Sequence, residues 1–272
     1  MSFRLATLAA AALLLSPLAA AASEPAVERL FVLDCGRNLA QDQSRWSPGV
    51  DAGKPIELSN NCYLIKHELG WMLWDTGYPD ALAARPEGQT GMGGNAVATR
   101  ARTLAAQLTE IGIGPDDIDM VALSHGHGDH IGNLDLFPKA TLIFQEAEIL
   151  SAFAERPRPF PATQTVRLLK GDLDVYGDGS VTILSTPGHT PGHQSLMVRL
   201  ARTGTVLLSG DAVHFQSNWD HRRVPGMNAD KDATLASMQR LADLMAQHGA
   251  QLWINHDTAR SDAQIRAPKF YE

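Results

Sequence analysis

The segment SHGHGDHIG, Ser124 to Gly132, constrains this chain more than any other feature. It places three histidines and one aspartate within His125 to His130 and fills the intervening positions with glycine. Only ten histidines occur in all 272 residues, so such crowding is no accident of composition. Imidazole nitrogens and carboxylate oxygens together suit a divalent ion of the zinc kind. In an extended segment alternate residues point the same way, so His125 and His127 can face one ion. Asp129 and His130 follow where the chain turns and can face a second. Gly126 and Gly128 allow the tight bend that this requires.

The cluster needs a scaffold, and the surrounding pattern supplies one. Val27–Gly36 is apolar and β-branched enough for a strand, and Asn61–Gly77 reads as two strands around a turn at Glu68–Gly70. Asn95–Ile111 has helical spacing, with Val97, Leu104 and Leu108 on one stripe. Asp119–Ser124 is a short buried strand that ends at the histidines, and Lys139–Leu150 is a strand running into a short helix. A strand from Ser180 stops at Pro187, and His193–Ala212 forms a hairpin turning near Thr203 and Gly204. Lys231–His248 is an amphipathic helix, and Ala250–Asn255 is a last strand. Hairpins mixed with helices predict a layered α/β domain with mixed sheets. Asp75, Ser124, Gly188, Asp211 and His256 all fall where strands end, the usual place for a site built from loops. The irregular stretches Gly36–Pro55, Tyr78–Gly94, Ser151–Gln164 and His214–Asn228 hold spare aromatic, Met and Pro residues and are candidate pocket walls.

The first 22 residues stand apart. Arg4 precedes an apolar run from Leu5 to Leu15, broken by Ser16 and Pro17 and followed by small residues. This predicts a cleavable secretory signal over residues 1–22, a single mature domain over 23–272, and a periplasmic or secreted protein. The run is too short for a membrane span, so none is expected after cleavage. Cys35 and Cys62 sit in strand-like segments, where an oxidising compartment permits a bridge and two buried thiols fit equally well. The formal net charge of -7 argues against nucleic acid as a partner.

HGHGDH fits the HxHxDH signature, and three further segments follow in order: STPGHTPGHQSL (Ser185–Leu196), LLSGDA (Leu207–Ala212) and WINHD (Trp253–Asp257). Together they resemble the metallo-β-lactamase superfamily from Asn61 to Asp257. The resemblance implies an αββα sandwich, two mixed sheets between helical layers, with two divalent ions, by default zinc, at one edge. It implies His125, His127 and His193 at the first ion, Asp129, His130 and His256 at the second, and Asp211 bridging. Within GHTPGH the residues alone leave His189 and His193 open; the resemblance selects His193, with His189 packing behind. Asp75 matches a position that supports a ligand imidazole.

Within the superfamily the wording TPGHTPGHQSL, GDA and HD is most similar to the N-acyl-homoserine lactonases. The implied reaction opens a homoserine lactone by attack of a metal-bridging hydroxide, with Asp129 also able to carry the proton to the leaving group. Destruction of a quorum-sensing signal would follow. Many such lactonases carry a tyrosine three residues after the bridging aspartate; here that position is His214, the expected carbonyl donor. The partner implied is a small lactone or ester. A periplasmic β-lactamase and a broad lactone or ester hydrolase are the alternatives within the superfamily. A zinc-binding protein without catalysis is disfavoured, because every ligand of the pattern is present.

Overall fold

The computed structural model describes residues 26–272, so the predicted signal segment lies outside the described residues. The described residues form thirteen strands: β1 (Val27–Ala40), β2 (Ile56–His67), β3 (Gly70–Trp74), β4 (Gln89–Gly91), β5 (Ala96–Thr99), β6 (Met120–Ala122), β7 (Thr141–Gln145), β8 (Val166–Leu169), β9 (Leu173–Asp174), β10 (Val181–Ser185), β11 (Gln194–Leu200), β12 (Gly204–Leu208) and β13 (Gln251–Trp253). Its α-helices are α1 (Leu104–Ile111), α2 (Glu146–Ala152), α3 (Gln216–His221), α4 (Lys231–His248) and α5 (Thr258–Asp262).

Two mixed sheets result, in the orders β4-β5-β1-β2-β3-β6-β7-β8 and β13-β12-β11-β10-β9. Alternation along each strand sends successive side chains to opposite faces. Val32, Tyr63, Ile65 and Trp74 thus point inward and meet Ile183, Leu196, Val198 and Leu208 of the second sheet. Phe31, Leu33, Leu64 and Leu73 point outward and pack against Leu104 and Leu108 of α1. On the far side Leu207 and Leu252 pack under Met238 and Leu241 of α4. The expected αββα sandwich is therefore present. Among the described residues no helix is long and apolar enough to cross a membrane.

The register explains why the polar ends meet. β3 runs parallel to β6 with Trp74 opposite Ala122, so Asp75 and Ser124 leave the sheet side by side. β12 runs parallel to β13 with Leu208 opposite Trp253, which brings Asp211 and His256 to the same edge. β10 pairs with β11 through Ser185 and Gln194, folding the GHTPGH loop over that edge.

Two expectations need correction. Helical spacing over Asn95–Ile111 holds only from Leu104, where Thr103 Oγ1 accepts from the Ala106 amide as an N-cap. Ala96–Thr99 is instead a strand, because β1 continues past Gly36 to Ala40 and offers an edge that Ala98 and Val97 complete. The stretch Ser151–Gln164 does not wall the site; Phe153 and Phe160 pack with Phe144 in the outer core. Of the two options for Cys35 and Cys62, the structure shows a disulfide joining β1 to β2.

Candidate metal centre

The four motifs converge at the open edge between the sheets. His125 Nε2 lies 2.9 Å from His127 Nδ1, which lies 3.1 Å from His189 Nε2. Asp211 Oδ2 stands 3.3 Å from His189 Nε2 and 3.8 Å from His125 Nε2. Three imidazoles cannot satisfy one another by mutual hydrogen bonds at one point. Ligands 2.0–2.1 Å from a tetrahedral ion stand about 3.3 Å apart, which matches this group.

A second group lies beside it. His130 Nε2 is 3.7 Å from Asp129 Oδ2 and 3.4 Å from Asp211 Oδ1, and His256 Nε2 is 3.0 Å from Asp211 Oδ1. His130 Nε2 and Asp211 Oδ1 are both buried without a hydrogen-bond partner. Buried polar atoms without partners on facing side chains are what a bound cation would satisfy. Asp211 turns Oδ2 toward His189 and His125 and Oδ1 toward His130, while His256 Nε2 lies 3.2 Å from Oδ2 and 3.0 Å from Oδ1, so the carboxylate reaches both groups. The donor set of imidazoles and carboxylates fits two divalent ions of the zinc kind.

His193 is not in either group. Its Nδ1 donates to the Thr186 carbonyl at 2.9 Å, and its Nε2 accepts from the Asp211 amide at 2.9 Å, leaving neither nitrogen free. The resemblance pointed to His193, but the geometry brings His189 to the ligand place and leaves His193 to fix the Asp211 backbone. The loop explains this. Gly188, at φ +135°, turns the chain so that His189 faces the open edge, while His193 enters the core just before β11. His125, His127 and Asp211 stand together with His189, and Asp129, His130 and His256 form the neighbouring group. His214 stands in the same cluster, its Nε2 3.3 Å from Asp211 Oδ2 and its ring stacked on His256. Outside it, His67 stacks on Tyr176, and His221 and His248 end α3 and α4.

Most of these imidazoles are held from behind. Asp75 Oδ2 accepts from His130 Nδ1 at 2.8 Å, while its Oδ1 accepts from the Ser124 amide at 2.6 Å. Asp75 is buried in the left-handed region at φ +59°, a conformation kept only where surroundings enforce it. His256 Nδ1 donates to the Ser59 carbonyl at 2.7 Å, and His189 Nδ1 pairs with Asn228 Oδ1 at 3.0 Å. One support had no sequence signal. Glu148, buried in α2, accepts from the Gly126 amide at 2.7 Å and from Thr190 Oγ1 at 2.6 Å, and so ties the HGHGDH loop to the GHTPGH loop. A Cβ on Gly192 would stand 2.1 Å from the Glu148 amide nitrogen, so glycine there lets the two loops close.

Electrostatics follow the same plan. Burial opposes ionisation of Asp211, yet the imidazoles of His256, His130 and His214 hold its carboxyl well below the usual carboxylate range. Burial pushes His193 down to about 4, and it pushes His125 and His189 well below the ordinary imidazole value. Those three rings therefore stay neutral at neutral pH, the form that ligates or accepts. Burial also opposes charge on His130, but Asp211, Asp129 and Asp75 outweigh it and raise its proton affinity.

The centre opens into a cavity of about 550 Å³. Trp46, Leu58, Leu82, Met92 and Met227 form an apolar side, and His127, Asp129, His189, Asp211, His214 and His256 form the floor. Three of the four irregular stretches named above contribute to it.

An αββα sandwich with an HxHxDH loop and a shared aspartate at its open edge defines a class, and the comparisons agree with it. The model of the metallo-β-lactamase superfamily matches residues 55–246, and the chain belongs to that superfamily. It is 32% identical over 268 residues to the N-acyl homoserine lactonase AttM of Azorhizobium caulinodans, covering 90% of this chain and 98% of that one. It is 30% identical to an N-acyl homoserine lactonase of Bacillus thuringiensis, covering 85% of this chain and 94% of that one. Among solved structures it resembles an N-acyl homoserine lactone hydrolase with the product N-hexanoyl-L-homoserine bound at its catalytic metal center, at TM-score 0.79 and 28% identity, covering 90% of this chain and 99% of that one.

Proposed function

We propose that the protein is a binuclear metal-dependent hydrolase that opens the ring of N-acyl-homoserine lactones. The observation that carries this is the split of the Asp211 carboxylate between two groups of imidazoles and carboxylate, beside an apolar cavity of a size for an acylated small molecule. The relatives named for this activity cover almost the whole described chain, which supports the same substrate class.

His125, His127 and His189 would hold one ion, Asp129, His130 and His256 the other, with Asp211 shared. When bound, two divalent ions, zinc by the donor chemistry, supply Lewis acidity for the carbonyl and a hydroxide nucleophile at neutral pH. The protein's own groups do the rest. Asp75, Ser59 and Asn228 fix the rings and their tautomers. Asp129, partly buried at the cavity floor, is placed to carry a proton to the departing alkoxide. His214 lines the same floor and can donate a hydrogen bond to the substrate carbonyl.

The same reading includes export. The Leu/Ala-rich first 22 residues favour it, and the Cys35–Cys62 disulfide belongs to an oxidising compartment such as the periplasm. A broader lactone or ester range is the second reading, favoured by the Met-lined and partly open cavity.

The test pairs metal analysis of the purified protein with a panel of N-acyl-homoserine lactones, simple lactones, a cephalosporin and a glutathione thioester. Close to two ions per chain and preferred turnover of the acylated lactones are expected. Turnover of the cephalosporin with none of any lactone would overturn the reading.

A further inference from the structure

The cavity has a polar corner that the proposed hydrolysis does not use. β1 continues past Gly36, and its residue Asn38 pairs with Leu58 of β2 and Ala98 of β5; all three line the cavity. Tyr78 lines the same corner, between Asn38 and the floor residues. Its backbone is pinned on both sides. The amide donates to the Cys35 carbonyl at 3.1 Å, and the carbonyl accepts from Asn133 Nδ2 at 2.8 Å and from Arg100. The ring lies across β1 where Gly36 leaves room, since a Cβ there would stand 2.8 Å from Tyr78 Cδ2. Gly36 has φ +119°, a second reason for glycine.

The chemistry of this corner is specific. Asn38 and Tyr78 both line this part of the cavity. Burial first, then the carboxylates of Asp129 and Asp211, keep the phenol protonated, so its O–H remains available to donate. Asn38 Oδ1 is buried and has no partner. A buried carbonyl oxygen without a donor is costly, and a bound molecule can supply one. The corner thus presents one O–H donor and one C=O acceptor a short way from the floor. A secondary amide presents the complementary pair, C=O and N–H.

We propose that Tyr78 and Asn38 clamp the amide of an N-acyl substituent, Tyr78 donating to its carbonyl and Asn38 accepting from its N–H. This rests on the lactonase reading above and adds the group that tells acylated homoserine lactones from plain alkyl lactones. The acyl chain beyond the amide then runs along Trp46, Leu58, Leu82, Met92 and Met227. Loss of one neutral hydrogen bond to the substrate costs about fivefold in discrimination.

The experiment compares kcat/KM for N-hexanoyl-homoserine lactone and for a γ-alkyl butyrolactone of similar length without the amide. It uses the parent, Tyr78→Phe and Asn38→Leu, all metal-loaded. Calorimetric binding of the ring-opened N-hexanoyl-homoserine gives a readout independent of turnover. The ratio of the two kcat/KM values is expected to fall about fivefold in each variant, with a matching loss of product affinity. An unchanged ratio in both variants overturns the clamp while leaving the lactonase reading intact. Failure of the parent to open either lactone overturns both. Melting temperatures identify a folding defect, and Asn38→Ser, smaller and still polar, replaces Asn38→Leu if the latter does not fold.

Discussion

The floor of the cavity and its walls are built on different physical terms. On the floor, His130, His256 and His189 each have a ring nitrogen tied behind, to Asp75, Ser59 and Asn228, and the second nitrogen aimed at the centre. Glu148 locks the two histidine loops together. The walls carry few such ties. Met92 and Met227 are 41% and 39% exposed; Met92 begins a short 3-10 turn after β4, and Met227 stands on the loop between α3 and α4. Hydrogen-bonded networks fix geometry, whereas unbranched thioethers adapt to what they touch. The contrast suggests fixed chemistry joined to an adjustable fit for the acyl part. Perturbations of the floor should therefore be large and those of the walls small.

The largest effect separates the two histidines of GHTPGH. His189→Ala should cost at least about a thousandfold in activity, through loss of an ion that contributes several kcal/mol of charge stabilisation. His193→Ala should act mainly on stability, by about 2–4 kcal/mol, since it leaves the Asp211 amide unpaired in the core. Metal content by atomic emission, measured alongside melting on both variants, decides it. Retention of both ions by His189→Ala, with their loss in His193→Ala, would restore the order that the sequence resemblance implied.

Asp75→Asn comes next. The Asn oxygen can still accept from the Ser124 amide, but its NH₂ would then face His130 Nδ1–H, donor against donor. Metal affinity should fall by about 10–100-fold with the fold intact. A chelator competition that gives the parent value would show that Asp75 orients nothing.

Much of the floor could be read directly from the chain, because metal ligation packs its residues into short motifs and parallel strand ends carry those motifs to one edge. Asp75, Asp129, His130, Asp211 and His256 were all visible in that way. His189 was not, because two histidines four residues apart differ only in how Gly188 and the start of β11 turn them. Glu148 was hidden for another reason. A single glutamate in a helix looks solvated, and only the tertiary approach of Gly126 and Gly192 shows what it holds. The strand at Ala96–Thr99 was likewise set by the edge that β1 leaves open and not by its own periodicity, which reads as helix. The wall residues Asn38, Leu58 and Ala98 come from three strands and share a cavity only through register.

His214 lies at the border of floor and wall. His214→Phe should keep the parent's metal content and lower lactone turnover at least about tenfold, the low end for loss of a transition-state donor. His214→Tyr should retain more activity than His214→Phe, because the phenol restores a hydrogen-bond donor. Equal turnover in the parent and His214→Phe would remove His214 from the reaction and leave the carbonyl to the metal centre.

The smallest effect is expected on the wall. Met227 lines the apolar side and is 39% exposed, so its contact with an acyl chain is only partly dry. Burying one methylene contributes about 0.8 kcal/mol when solvent is fully excluded, and less here. Met227→Ala should therefore raise KM about threefold for a decanoyl substrate and leave kcat within error. A butanoyl substrate, too short to reach along that side, should show a smaller change. The contrast between chain lengths is the measurement, since a general loosening of the site would raise both alike. A tenfold or larger loss with both substrates would mean that the wall shares the rigidity of the floor, and the division drawn between them would fail.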